Sequence, residues 1–242
     1  MTRSLLLALS LCLFAGACRS TERANAAPSA NADYVLVFLR VGATASEKSA
    51  DERQTIQAAH MANIHRLADE GALLLAGPFG KPMPDAALRG IFVFDRASVA
   101  EAQKLTESDP AVQQGVLALD AHPCTSSPAL REIMRLEKDA EARRKAANDP
   151  GMRQYVMLVA DDGARAVTAL APIAAQDKVL ITAHLGGDLA GRCLFVLDAA
   201  KLEDADALLA PMRAELGTCA VYPWWATDSL VQLPGLEHAD PH

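Results

Sequence analysis

The sequence predicts an α+β fold: two fused βαββαβ units packed on each other as an internal pseudo-dimer. Residues 34–125 and 155–227 run through the same order of apolar and amphipathic segments. Their strand-like words also correspond: YVLVFL from Tyr34 with YVMLVA from Tyr155, GALLLAG from Gly71 with DKVLITA from Asp177, and RGIFVFD from Arg89 with RCLFVLD from Arg192. Strand pairs split by a helix and repeated in this way specify a ferredoxin-like layer of helices on an antiparallel sheet. One face of such a sheet is covered by its own helices, and the other needs a partner, which a second copy supplies.

Each element has a local reason. Tyr34–Val41 is a β-branched apolar run suited to a strand. Ser46–Glu70 carries Ile56, Ala59, Ile64 and Leu67 at helical steps, and Gly71 is placed to end the helix. Ala72–Ala76 is a second strand, closed by the turn-forming Gly77-Pro78-Phe79-Gly80. Gly90–Phe94 is a third. Ser98 is placed to cap a helix running to Thr106, with Glu101 at the capping-box position. Gly115–Ala121 is a fourth strand. Pro128–Asn148 reads as a charged helical connector of about 30 Å, ended by Asp149-Pro150-Gly151. The second unit follows as Gln154–Ala160, a helix over Ala164–Ala175 shortened or kinked by Pro172, Val179–His184, Arg192–Leu197, a helix over Leu202–Leu216, and Thr218–Trp225. The expected organisation is therefore 34–127 for the first unit, 128–150 for the connector, 151–233 for the second unit, and 234–242 for a polar tail.

Composition narrows the function classes. Over 242 residues the chain is 51% hydrophobic and 22% charged, with a formal net charge of −7. A nucleic-acid partner would require a basic face. The most basic stretch, Arg131–Lys145, is interleaved with Glu132, Glu137, Asp139 and Glu141 and reads as a solvated helix.

Residues 1–18 read as an export signal. Arg3 precedes an apolar run, Ser4–Phe14, that is too short to span a bilayer. Ala15-Gly16-Ala17-Cys18 resembles a bacterial lipobox, with Cys18 as the lipidated residue and membrane contact only through that lipid. Simple cleavage after Ala17 or at Ala30-Asn31-Ala32 is the other reading. Residues 19–33 form a flexible tether by composition. Arg19 after the cysteine points to the outer membrane, and the expected location is the periplasm. In that compartment two of Cys124, Cys193 and Cys219 have the chance to pair; the alternative is that they serve as small buried hydrophobes. The sequence has no CxxC or Cys/His metal spacing, so neither metal nor cofactor is expected.

The candidate chemistry lies in the first copy. The words His60-Met61-Ala62-Asn63-Ile64-His65-Arg66-Leu67-Ala68-Asp69-Glu70-Gly71, Leu74-Leu75-Ala76-Gly77-Pro78, Gly90-Ile91-Phe92-Val93-Phe94, Glu101-Ala102 and Asp109-Pro110 resemble the YCII-related (YciI-like) family of the dimeric α+β barrel superfamily. The resemblance covers Tyr34–Cys124 and reaches Tyr155–Thr227 only through the repeat. It implies a sheet-to-sheet barrel with a His/Asp pair in a cleft, here His60 and Asp109. The family includes a dehydrochlorinase of chlorinated aromatic degradation, and its fold resembles muconolactone isomerases. This chain departs in being a tandem with an export signal, and in having Ala111 where an aromatic commonly follows the proline.

The residue types carry independent weight. An imidazole titrates near neutrality, and a carboxylate in contact fixes its tautomer. Asp109 also has a plain reading as a helix cap. His65, about 500° around the helix from His60, points elsewhere. Gly77, Pro78 and Phe79 are expected to line the pocket mouth or to form a simple turn, and Arg89 to attract an anion or to be solvated. Trp224, Trp225 and Tyr222 read as interface or core. Alignment of the copies sets Ala166 opposite His60 and Met212 opposite Asp109, so the second unit lacks the pair. Two function classes follow. One is a cofactor-independent lyase or isomerase acting on a small aromatic or carbonyl molecule, with His60 as base and Asp109 orienting it. The other is a non-catalytic envelope module that binds a small ligand or a protein.

Overall fold

The computed structural model describes residues 31–237. The signal-peptide, lipobox and Cys18 expectations, and most of the tether, lie outside the described residues.

The first unit runs β1 (Ala32–Val41), α1 (Ala50–Asp69), β2 (Leu73–Pro78), β3 (Leu88–Phe94), α2 (Val99–Glu107), α3 (Pro110–Gln113) and β4 (Leu117–Ser126). A 3-10 turn at Pro128–Glu132 leads into the connector helix α4 (Ile133–Ala147). The second unit repeats the order as β5 (Met152–Ala160), α5 (Gly163–Ala174), β6 (Val179–Leu185), β7 (Cys193–Leu197), α6 (Leu202–Leu209), α7 (Arg213–Leu216) and β8 (Cys219–Thr227). Another 3-10 turn, Asp228–Gln232, and a short helix α8 (Leu233–Glu237) follow. The expected polar tail, 234–242, thus begins inside a helix whose first residue, Leu233 of the second unit, is buried in the core.

Helix boundaries differ from expectation for local reasons. α1 starts at a full capping box in which Ser49 Oγ accepts from the Glu52 amide while the Glu52 carboxylate accepts from the Ser49 amide. Ser98 lies at the start of α2, but its side chain makes no capping bond. Gly71 does end α1, at φ 66°. Asp177 takes the matching left-handed position after α5, at φ 57°. The expected single helix over 202–216 is broken into α6 and α7 by a 3-10 turn at Ala210–Met212, where Pro211 has no amide to continue the ladder.

All eight strands form one antiparallel sheet in the order β2-β3-β1-β4-β6-β7-β5-β8. The units join through β4 and β6, where Cys124 faces Leu185 and Ser126 faces Ala183. The outer strands β2 and β8 meet at the Phe79–Trp224 bridge, which brings the sheet close to a closed barrel. Both junctions use the same device: Gly186 N donates to Pro123 O at 2.7 Å, and Gly80 N donates to Pro223 O at 2.7 Å. The anchoring tyrosines repeat as well, with Tyr34 OH donating to Ser127 O at 3.0 Å and Tyr155 OH to Thr227 O at 2.8 Å.

Strand alternation sorts the apolar residues into three cores. Tyr34, Leu36 and Phe38 point inward with Tyr155, Met157 and Trp224 to fill the barrel. Val35, Val37 and Leu39 point outward beneath the helices of the first unit. Val156, Leu158 and Ala160 do the same in the second. The barrel interior retains a cavity of only about 20 Å³, apolar and lined by residues such as Leu36, Val93, Ile181 and Trp224. That space holds at most one water-sized molecule.

Helix α4 docks on the end of the second unit through Arg144. Its guanidinium donates to Glu137 at 2.7 Å and to Ser229 Oγ at 2.8 Å, and also contacts Asp228. Among the described residues Cys124, Cys193 and Cys219 are free thiols. Cys193 and Cys219 both pair with Ala160, from opposite sides of β5, so two strand spacings of about 10 Å in all separate them, beyond disulfide reach. Cys124 lies on the inner face, in a different core from Cys193.

Candidate functional site

The buried face of α1 is not purely apolar. His60, Asn63 and Leu67 share it, at steps of three and four residues, and press against the outer face of the first sheet. The His60 ring stacks on Phe92 of β3, with centroids 6.0 Å apart and planes 23° from parallel.

Asp109 arrives from the turn between α2 and α3. It is the N-cap of α3, its Oδ1 accepting from the Ala111 amide at 2.8 Å, and Pro110 occupies the first helical position. Its other oxygen, Oδ2, lies 2.7 Å from His60 Nδ1. A carboxylate only accepts, so Nδ1 carries the proton and donates. The cap therefore fixes the carboxylate, and the carboxylate fixes the imidazole. Asp109 is fully buried, whereas the His60 side chain keeps 10% of its surface exposed. His60 Nε2 has no hydrogen-bond partner among the described residues and is not sealed from solvent. An imidazole oriented through Nδ1, with a free lone pair at Nε2, is the geometry of a general base.

Asn63 is the functional candidate that pattern reading missed. Its Oδ1 accepts from Arg66 Nη2 at 2.8 Å and lies 3.3 Å from Ser108 Oγ. The guanidinium is donor-only, which sets the amide orientation and leaves Nδ2 on the other side. Nδ2 is buried without any acceptor. An orphaned buried donor costs about 1–3 kcal/mol. The available signal was a polar residue on the core stripe of α1, between His60 and Leu67.

The other expected site residues go elsewhere. Gly77, Pro78 and Phe79 belong to the barrel closure rather than to a pocket at His60. Gly77 O accepts from Trp224 Nε1 at 3.1 Å, and a Cβ on Gly77 would sit 1.9 Å from Trp225 O. Phe79 packs on Tyr222 with centroids 4.9 Å apart. The small, turn-forming residues are there to admit the backbone of β8. Arg89 is exposed, and its Nη1 donates to the carbonyls of Ala86 and Leu88 at 2.7 and 2.8 Å, which ties one end of the guanidinium to its own loop. His65 is exposed, as its position on α1 predicts.

In the second unit Ala166 and Met212 are both buried in an apolar core with Phe195, and neither can move a proton. An open groove of about 530 Å³ runs over Thr168, Ala169, Pro172 and Met212, with Arg165 and Glu215 at its rim. Arg165 donates to the Glu215 and Ala214 carbonyls at 2.6 and 2.7 Å. Among the described residues no cluster of three or more His, Cys, Asp or Glu side chains is arranged to hold a metal ion.

Residues 37–120 match the family model of the YCII-related domain. The first unit is thus similar to a YCII-related domain. Two arginine-substituted variants of chlorite dismutase from Candidatus Nitrospira defluvii share the fold of the whole tandem. One is 12% identical, with a TM-score of 0.50 over 86% of this chain and 95% of that chain. The other is 13% identical, with a TM-score of 0.50 over 87% and 97%. At that identity the likeness is one of fold, the dimeric α+β barrel, in which the YCII-related unit and its second copy make up one barrel. No curated protein matches the chain by sequence.

Proposed function

We propose that the YCII-related unit is a cofactor-independent acid–base enzyme, a lyase or isomerase acting on a small carbonyl or aromatic molecule. The observation that carries this reading is the His60–Asp109 hydrogen bond with Nε2 left free at the protein surface. In the proposed reaction His60 Nε2 takes a proton from the substrate, and Asp109 holds the ring and stabilises the imidazolium that forms. Positioned bases of this kind contribute roughly 10²–10⁴-fold to rate. The second unit, apolar where the first has its pair, completes the barrel. The filled interior directs substrate to the helix side of the first sheet.

The same proposal places the protein in the periplasm, held at the outer membrane by a lipid on Cys18. The sequence of residues 1–18 supports this, and palmitate labelling that persists in Cys18→Ala would refute it.

The test is a screen for proton exchange into small carbonyl compounds, run on the protein and on His60→Ala. Turnover lost with the fold intact supports the enzyme. Turnover unaffected by His60→Ala sinks it. A non-catalytic binding module is the second reading, favoured by the complete burial of Asp109 and its use as a helix cap. It predicts ligand binding without exchange at any pH.

A further inference from the structure

The Asn63 amide has a nitrogen without a protein partner in the fold. Its oxygen is engaged by Arg66 and Ser108, its nitrogen is buried with no acceptor, and it lies one helical turn from His60 on the same face of α1. Side chains three residues apart on a helix start about 5–6 Å from each other. That spacing suits one small molecule contacting both: a C–H at His60 Nε2 and the adjacent carbonyl oxygen at Asn63 Nδ2.

We propose that Asn63 is the oxygen-binding donor of this site, and that its substrates are enolisable carbonyl compounds. The inference rests on His60 acting as the base. The C–H bond adjacent to the carbonyl breaks, and its proton passes to His60 Nε2. The C–H electron pair forms the carbon–carbon double bond, and the carbonyl π pair moves onto oxygen as an enolate held by the Asn63 N–H. The imidazolium then returns the proton to the same carbon or, in an isomerisation, to a conjugated one, and the protein is restored. Nδ2 has no protein acceptor to give up, so its dipole is available for the charge that develops on oxygen. Arg66, held by Glu70 and Ser108, keeps the Asn63 oxygen engaged and so keeps Nδ2 turned away from the guanidinium.

The experiment uses the folded protein and two probes: 2,4-pentanedione for solvent-deuterium exchange, and acetohydroxamate as a non-reacting enolate mimic. Asn63→Leu removes the orphan and keeps the volume, so Tm is expected to rise by about 2 °C or more while exchange falls about a hundredfold. Asn63→Asp, which keeps the shape but not the donor, is expected to lose exchange similarly. The side-chain amide signals of Asn63 are expected to move downfield with acetohydroxamate. Exchange abolished by His60→Ala but retained in Asn63→Leu overturns the Asn63 assignment alone. Exchange retained in His60→Ala, or absent from the unsubstituted protein, overturns the base on which it rests. A fall in Tm of Asn63→Leu together with amide signals unmoved by acetohydroxamate marks Asn63 as structural and refutes the proposal.

Discussion

His60 Nδ1 and Asp109 Oδ2 lie 2.7 Å apart, across 49 residues of chain, because a helix cap holds the carboxylate still. The two oxygens of Asp109 have separate duties, and a substitution can remove one without the other. In Asp109→Asn the side-chain oxygen can still cap α3, while the amide nitrogen faces His60 Nδ1. A donor there requires Nδ1 to accept, which moves the ring proton to Nε2. Stability is expected to change by about 1 kcal/mol or less, while proton transfer at Nε2 is lost. Nitrogen NMR of the imidazole, which distinguishes the tautomers, checks this directly. Asp109→Ala removes both duties and is expected to cost about 2–4 kcal/mol in a denaturant melt.

Gly77 tests the barrel closure. A methyl group there meets the Trp225 carbonyl at 1.9 Å, so backbone has to move. Gly77→Ala is expected to cost about 3 kcal/mol, or roughly 6–12 °C in Tm. Gly71→Ala has nothing within 4 Å but keeps φ at 66°, and is expected to cost about 1 kcal/mol of backbone strain alone. Equal effects in the two melts would show that β2 and β8 do not close on each other.

Alkaline pH is expected to loosen both units together. Burial pushes the Tyr34 phenol up to about 12 and raises that of Tyr155 in the same direction. Below pH 10, the ordinary value for these groups, both phenols are neutral in the folded and unfolded chain, and their contribution is complete. Above it the unfolded chain ionises first, so stability falls as pH rises toward the folded values. A double Tyr34→Phe, Tyr155→Phe variant is expected to show a flatter alkaline limb in Tm against pH, from a lower starting point.

Acid acts on the α4 contact. Burial alone would raise the Glu137 carboxyl, but hydrogen bonds from Arg144, Thr227 and Ser229 outweigh it and hold the group below its usual range. Stability from this group is present above the unfolded value of 4.5 and is lost as pH falls through the lowered folded value. Glu137→Gln is expected to lower Tm at pH 7 and to remove part of its decline below pH 4.5. Parallel acid limbs in the two proteins would refute the assignment.

Much of this molecule is readable from local patterns. The apolar steps of α1, the stop at Gly71 and the matching strand words of the two halves each depend on near neighbours, and each has its counterpart in the fold. Contacts made over long distances were less legible. Gly77-Pro78-Phe79 announces a tight backbone position without saying what approaches, and the partner, Trp224, comes 147 residues later. The cap at Ser98 had the right residues but not the bond, whereas Ser49 and Glu52 made the full box. Asn63 carries no local mark beyond being a polar residue inside an apolar stripe, and its unpaired nitrogen exists only in the packed structure.

The sequence by itself determined that there are two similar units, and that only the first carries a histidine and an aspartate at matching positions, because side-chain period and residue type are local properties. The tertiary structure alone decided that the units share one nearly closed sheet, and that the pair sits under α1 rather than in the filled barrel. It also decided that Nε2 is the nitrogen left free. Those outcomes follow from strand ends finding partners and from one cap orienting a carboxylate, which are contacts between distant parts of the chain.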